Sequence, residues 1–351
     1  MINLVIDGKP LSLDAPILLI EAAKLVGIDI PNLCYSPELS GFAGCRMCLV
    51  EIEGNPKLMT SCSTLAADGM VVRTNTPEIR KHRRVLLDLL MSNHPADCLT
   101  CVQVGECTLQ DLCYEYGVQV PTYSKEHTVY PLDDANPIMV RDQAKCIKCG
   151  KCVRICREIQ VSHVYDHVGR GFTSTVTTAG DQPISKEICR MCGQCISACP
   201  TGALINKEFI GYRPWELKKV RTTCPFCGTG CTFDLNVDVK NNRVVGVTPC
   251  KDAPINGTQL CVKGRYHTDF IRSEERLTTP LMRKNGELTP VSWDEALSYT
   301  ATRFNEIKEK YGPDAVSGLS SARCTNEENY VFQKFMRTAI GTNNVDHCAR
   351  T

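Results

Sequence analysis

The strongest constraint on this chain lies in residues 146–200, where one cysteine spacing occurs twice: Cys146-x2-Cys149-x2-Cys152-x3-Cys156 and Cys189-x2-Cys192-x2-Cys195-x3-Cys199-Pro200. Three cysteines separated by two residues each wrap a loop around one point, and a cubane iron–sulfur cluster needs four thiolates converging there. The fourth has to arrive from elsewhere. When two such runs share a chain, the trailing cysteine of each completes the cluster of the other. Cys199 is therefore expected to join Cys146, Cys149 and Cys152, and Cys156 to join Cys189, Cys192 and Cys195, which sets two clusters side by side. Zinc ribbons would show paired Cys-x2-Cys knuckles instead. Arg157 stands where the second run has its proline, at a position that supplies no ligand.

The chain carries 23 cysteines in 351 residues. An odd count arranged in triplets argues for metal ligation over disulfides. The opening Met1-Ile2-Asn3-Leu4-Val5-Ile6-Asp7 has neither a basic leader nor an apolar signal core. A reducing, cytoplasmic setting is the expectation. No window approaches the roughly 18 uninterrupted apolar residues of a membrane span. A formal charge of +1 offers no basic face to nucleic acid. Filling the sites described below with oxidised clusters would take that charge to about −8.

Residues 2–13 alternate in strand fashion around Asp7-Gly8-Lys9, and residues 16–26 show one apolar helical face. Together they predict a hairpin packed by a helix, in a β-grasp pattern. Cys34-x10-Cys45-x2-Cys48-x13-Cys62 follows, with Gly41 and Gly44 expected where backbone passes close to a cluster. A plant-type [2Fe-2S] site has a shorter first gap. The wider spacing resembles the amino-terminal domain of the large iron–sulfur subunit of respiratory complex I, and of its relatives among iron-only hydrogenases and formate dehydrogenases. That resemblance implies one [2Fe-2S] cluster on Cys34, Cys45, Cys48 and Cys62. Residues 77–92 predict a helix with proline at its start, leading to His94-x3-Cys98-x2-Cys101-x5-Cys107. The same family places a [4Fe-4S] cluster on one histidine and three cysteines at this spacing. Cys113 fits no set and reads as buried filler. Residues 118–144, with Pro121, Pro131 and Pro137, read as a connecting strap, and residues 158–185 as a hairpin insertion.

Beyond Trp215, Cys224-x2-Cys227-x3-Cys231 and then Cys261-Val262-Lys263-Gly264-Arg265 bracket a β-rich stretch over residues 232–247. This arrangement resembles the amino-terminal cluster domain of molybdenum or tungsten enzymes that carry two pyranopterin guanine dinucleotides. The resemblance implies another [4Fe-4S] cluster on Cys224, Cys227, Cys231 and Cys261, with Lys263 as an electron relay between that cluster and a pterin. Cys250 lacks the Lys-Gly-Arg setting and is expected to be a non-ligand. From Leu277 onward the pattern turns to α/β, with a helix over residues 293–311 and a strand over residues 315–319.

Ser321-Ala322-Arg323-Cys324-Thr325-Asn326-Glu327-Glu328-Asn329-Tyr330 resembles the formate dehydrogenase version of the loop and helix that meet the pterin. Cofactor contacts from Arg323, Asn326 and Glu327 are then implied; read alone, Thr325 to Glu328 is a capped helix start. Asn344-Val345-Asp346-His347-Cys348-Ala349-Arg350-Thr351 also resembles formate dehydrogenases, in which the next residue is a cysteine or selenocysteine metal ligand followed by a catalytic histidine. The chain stopping there raises the expectation of a UGA codon read as selenocysteine, and of His347 and Cys348 packing beneath the site.

The expected fold class is α+β multidomain. A β-grasp [2Fe-2S] ferredoxin covers residues 1–76, a small [4Fe-4S] domain with one histidine and three cysteine ligands 77–117, a linker 118–137 and a double [4Fe-4S] ferredoxin 138–208. A β-rich [4Fe-4S] domain of molybdopterin oxidoreductases covers 217–273, and the start of an α/β pterin-binding domain 274–351. The resemblance implies the electron-transfer half of a cytoplasmic formate dehydrogenase catalytic subunit, with no catalytic residue in this chain. It implies one [2Fe-2S] and four [4Fe-4S] clusters, and molybdenum or tungsten bis-pyranopterin guanine dinucleotide in the full-length protein. Its implied partners are flavin/NADH-binding diaphorase, ferredoxin or hydrogenase subunits. No Gly-x-Gly-x-x-Gly follows a strand, so a nicotinamide site is expected in another subunit. The alternatives are a complex I-like large iron–sulfur subunit and a stand-alone electron adaptor.

Overall fold

The computed structural model describes residues 1–123 and 130–348. It divides into two units, Met1–Leu217 and Lys218–Thr351, each a mixture of helix and strand. The expected strap lies partly, at 124–129, outside the described residues, as does the end of the final motif at 349–351.

The first unit opens with β1 (Ile2–Ile6) and β2 (Lys9–Leu13), an antiparallel hairpin whose alternation turns Leu4, Ile6 and Leu13 inward. Helix α1 (Leu19–Leu25) lays Leu19, Ile20, Ala22 and Ala23 against that face. Strands β3 (Leu49–Ile52), β4 (Met59–Thr60) and β5 (Val71–Arg73) complete a sheet ordered β2-β1-β5-β3-β4, with β1 and β5 parallel at its centre. Helix α2 (Pro77–Met91) starts where the Thr76 side chain accepts the Ile79 N–H and Pro77 fills the first turn. Helix α3 (Thr108–Tyr116) packs beside it. Arg83 is fully buried between them. Its guanidinium donates to the carbonyls of Met47, Leu49 and Thr74 and to the Tyr116 hydroxyl, pinning α2 to the sheet and to α3.

Four short strands and two short helices carry the double cysteine run. These are β6 (Met139–Arg141), α4 (Lys151–Arg154), β7 (Asp166–Val168), β8 (Thr175–Thr177), α5 (Gln194–Ala198) and β9 (Leu204–Asn206). β6 pairs with β9 and β7 with β8, both antiparallel, so the stretch between the runs is a hairpin as its composition suggests. The two runs fold alike. Each helix begins on a glycine in the left-handed region, Gly150 at φ 68° and Gly193 at φ 72°, a conformation that would strain any residue with a Cβ. α4 widens into a π turn over Ile155–Ile159, which carries Cys156 inward. Met139, Val153, Ile155, Val164, Tyr165, Val176 and Leu204 form the core around both runs.

In the second unit β10 (Leu217–Thr223), β11 (Thr232–Asp238) and β12 (Arg243–Pro249) form a three-stranded sheet, and α6 (Val262–Tyr266) contacts β12. A hairpin of β13 (Leu281–Lys284) and β14 (Glu287–Pro290) leads into α7 (Trp293–Tyr311), whose first turn is capped by Ser292. The next strand, β15 (Gly318–Ser321), begins three residues later than expected. Pro313 sets a helical φ after α7, and Pro313–Ala315 coils into a 3-10 turn before the chain extends. Helix α8 (Asn326–Phe335) begins with a reciprocal cap between Thr325 and Glu328, and β16 (Val345–Cys348) pairs in parallel with β15. No helix among the described residues is long and apolar enough to cross a membrane.

Candidate metal centres

The double run encloses two cavities. One is lined by Cys146, Cys149, Cys152 and Cys199, the other by Cys156, Cys189, Cys192 and Cys195. In each, the trailing cysteine of one run faces the triplet of the other. Backbone N–H groups point at the sulfurs: Lys148 N lies 3.4 Å from Cys146 Sγ, Met191 N 3.3 Å from Cys189 Sγ and Val164 N 3.4 Å from Cys156 Sγ. The first two require Lys148 and Met191 to take left-handed φ values of 58° and 54°, strain of the kind that persists where surroundings over-determine a site. Tyr165 lines both cavities, with its hydroxyl 3.5 Å from Cys195 Sγ. Burial pushes the Cys146 thiol up to about 11 and those of Cys149 and Cys195 to about 12. A soft metal replaces such protons and leaves thiolates, so the donor set fits iron–sulfur chemistry.

In the first module the sulfurs of Cys45, Cys34, Cys62 and Cys48 form a chain of hydrogen-bonded neighbours in that order. Hydrogen bonds from Cys45 and Cys62 draw the Cys34 thiol far down, and both partners are pushed up in exchange. Among the described residues, no three donors close on a point tightly enough to grip a single ion. At Gly44 a Cβ would run into the Phe42 ring of the same loop. At Gly41 a Cβ would meet no protein atom within 4 Å.

His94, Cys98 and Cys107 line one cavity together with Cys113. Cys101 does not line it. Its sulfur packs where a Cβ on Gly202 would lie 2.8 Å away, beside the Lys145 stem, and its carbonyl accepts from Arg213. Cys113 is buried as expected, and burial pushes its thiol up to about 11. Its place in the cavity wall was not legible from its spacing. Thr108 N donates to the Pro200 carbonyl at 3.1 Å, so this module abuts the end of the double run.

In the second unit Cys224 is buried, Cys231 half-buried, and Cys227 and Cys261 exposed. Cys224 N donates to the Cys231 carbonyl at 2.8 Å, closing the loop. Gly264 leaves room for Cys224: its missing Cβ would sit 3.4 Å from that sulfur. Hydrogen bonds with Thr229 draw the Cys227 thiol down, and the Arg323 and Lys263 cations add to the effect. Both cations thus stand within electrostatic reach of one loop. Gly228 lies against the Ala322 carbonyl, 3.1 Å from where its Cβ would be, so loop 321–324 borders the Cys224–Cys231 loop. Asn329 holds that loop by donating to the Ser321 and Cys324 carbonyls, and Asn326 and Glu327 are exposed in the first turn of α8. Cys250 is buried and engages Asp234 and Arg221. His347 and Cys348 correct the expectation that they pack beneath the site: both are exposed on β16, in a sheet of two strands.

Comparison with known proteins gives a concordant picture. Residues 1–77 match the 2Fe-2S iron-sulfur cluster binding domain and residues 83–121 the iron-sulfur binding region of NADH-ubiquinone oxidoreductase-G. Residues 145–203 match the 4Fe-4S dicluster domain, residues 217–273 the molybdopterin oxidoreductase Fe4S4 domain and residues 276–351 molybdopterin oxidoreductase. A G-type NADH-quinone oxidoreductase component of Rhizobium meliloti is 41% identical over 353 residues, which is all of this chain and 40% of that protein. The alpha subunit of NADPH-Fe(3+) oxidoreductase from Geobacter sulfurreducens is 38% identical, again over all of this chain and 40% of its own length. A Staphylococcus aureus protein bearing the name "Putative formate dehydrogenase" is 34% identical over 98% of this chain and 39% of its length. The chain thus spans about 40% of these relatives. A chain of an NAD+-reducing [NiFe]-hydrogenase, in a crystal structure of the H2-reduced state, aligns with a TM-score of 0.51 and 28% identity. That match covers 59% of this chain and 87% of the other. The chain is therefore a mixed α/β multidomain protein with a [2Fe-2S] ferredoxin domain, [4Fe-4S] domains and the start of a molybdopterin oxidoreductase domain.

Proposed function

We propose that this chain is the electron-transfer half of a formate dehydrogenase catalytic subunit of the molybdenum or tungsten bis-pyranopterin type. The observation that carries the electron-transfer reading is the pair of cavities in the double run, each walled by three cysteines of one run and one of the other. Those two sets would hold [4Fe-4S] clusters. Cys34, Cys45, Cys48 and Cys62 would hold a [2Fe-2S] cluster, and His94, Cys98, Cys101 and Cys107, like Cys224, Cys227, Cys231 and Cys261, a further [4Fe-4S] cluster each. Bound there, iron–sulfur clusters accept and release one electron at a time, the task for which serial sites are suited.

This chain's own residues supply enclosure and electrostatics. The N–H groups of Lys148, Met191 and Val164 stabilise negative charge on sulfur. Lys263 stands as the relay between the Cys224 set and a pterin, and Arg323, Asn326 and Glu327 border that cofactor. Support for formate as the electron source comes from the sequence over residues 321–330 and 344–351 and from the relative named for that activity. A second reading, oxidation of NAD(P)H through a diaphorase-type partner, is favoured by the higher identity of the relatives named for NADH and NADPH.

The full-length protein, purified without oxygen with its partners, decides between them. About 18 irons per chain are expected, with molybdenum or tungsten, and formate alone should bleach the visible cluster absorption. Bleaching by NAD(P)H but not by formate would replace the first reading with the second. Zinc in place of iron would overturn both.

A further inference from the structure

Three guanidinium groups are buried among the described residues of the first unit, and only one is not accounted for by the fold. Arg141 pairs with Asp133. Arg83 braces α2. Arg154 is 4% exposed and lies between the first module and the double run. Its hydrogen-bond acceptors are backbone carbonyls: Gly150 in its own helix at 3.3 Å, and Ser40 and Cys34 across the junction at 2.5 Å each. The guanidinium also sits 5.2 Å from the Phe42 ring centroid, and that ring stacks on His167 at 5.5 Å. One turn on, the Glu158 carboxylate accepts the Ser40 N–H at 2.8 Å and its hydroxyl at 2.5 Å. The segment carrying Cys34 and Cys45 is thus gripped from one helix at several points. Lys151 lies in electrostatic reach of Cys149, Cys34 and Cys45 together.

A buried cation bonded only to neutral carbonyls is costly unless negative charge stands close by. Here the Glu158 carboxylate stands in electrostatic reach of the guanidinium, which bridges the backbone of the Cys34 loop and of the double run. The junction also has a direction. Gly150 lines the cavity of Cys146, Cys149, Cys152 and Cys199, and the Phe42 ring lies 3.3 Å from where a Gly150 Cβ would be.

We propose that Arg154 is a positioning residue that locks the Cys34 loop onto the double run and makes the set of Cys146, Cys149, Cys152 and Cys199 its direct electron-exchange neighbour. This rests on the cluster reading above and adds to it a residue and a neighbour.

The test uses the full-length, iron-loaded protein with Arg154→Met and Arg154→Lys. Iron content, redox titration of the [2Fe-2S] EPR signal, broadening of that signal by its reduced neighbour, and freeze-quench electron equilibration are measured in each. Arg154→Met is expected to keep its iron, to shift the [2Fe-2S] potential downward as a nearby cation is lost, to lose the broadening, and to slow equilibration about tenfold. Arg154→Lys keeps the charge but not the fork, so the potential should return while equilibration stays about threefold slow. Unchanged broadening and rate in Arg154→Met overturn the proposal, and so does an unchanged rate in Arg154→Lys should the Met variant fail to assemble. A wild-type protein without the [2Fe-2S] signal would instead refute the cluster reading itself.

Discussion

In the first unit Cys156 and Cys195 lie inside an apolar core and burial drives the thiols of the double run upward, whereas in the second unit Cys227 stands in solvent and its neighbours draw its thiol down. The contrast separates two ways of presenting sulfur to a metal. The double run builds its core around the ligands: Val153, Tyr165, Val176 and Leu204 pack against one another and against the cysteines themselves. The second site hangs on a loop closed by Cys224 and Cys231 and braced by Asn256, which accepts from Thr232 N and donates to the Thr232 and Gln259 carbonyls. The second site also packs Cys224 and Cys231 against Phe233, Val247 and Leu260 but leaves Cys227 and Cys261 exposed, so it leans less on what fills it and more on its loop's hydrogen bonds.

Iron removal is the most severe test of that difference. Small modules with thin apolar cores draw much of their folding free energy from bound metal. Chelation under reducing conditions is expected to abolish amide protection across the double run and the modules abutting it, while β11, β12 and α7 stay protected. Hydrogen exchange read by mass spectrometry resolves the two units. Equal protection in both after chelation would break the comparison.

A sharper test addresses the crossing of ligands within the double run. Cys146→Ala and Cys199→Ala should each remove about 4 of about 18 irons, and the double variant no more than either alone, because both serve one cluster. Combining Cys156→Ala with Cys199→Ala should remove about 8. Iron assay and mass spectrometry of the native protein read this directly. Additive loss in the first pair would mean that each run completes its own site.

What the sequence could and could not show follows from the range of the interactions involved. Cysteine spacing is local, so the triplets and the hairpin between Asp166 and Thr177 were legible from neighbouring residues alone, as were the Pro77 helix start and the Thr325–Glu328 cap. The crossing of Cys156 and Cys199 was legible too, because it follows from geometry common to paired runs. Tyr165 and Arg154 gave no such signal: each is a single residue whose meaning comes from partners 30 to 120 positions away. The left-handed Lys148 and Met191 were equally hidden, since nothing in a lysine or methionine announces positive φ. The place of Cys113 in the wall shared with His94, Cys98 and Cys107 comes from the packing of α3, which spacing does not contain.

The smallest expected effect concerns Cys227, and it probes the second half of the comparison. Alkylation follows the thiolate fraction. Because Thr229 first, and then Arg323 and Lys263, favour the charged form, the folded metal-free second unit should show Cys227 reacting with a midpoint below the ordinary value of 9.0. The sign is fixed by the direction of the shift: as pH rises, the rate climbs and levels off earlier than for an ordinary thiol. Removing the hydroxyl in Thr229→Val should move the midpoint up more than Arg323→Gln does, since the hydrogen bonds outweigh the more distant charge. Residue-level mass spectrometry of the alkylated chain across pH reads the midpoint. If Arg323→Gln moves it further than Thr229→Val, charge governs this thiol; if neither moves it, solvent does, and the second site holds its sulfurs by loop closure alone.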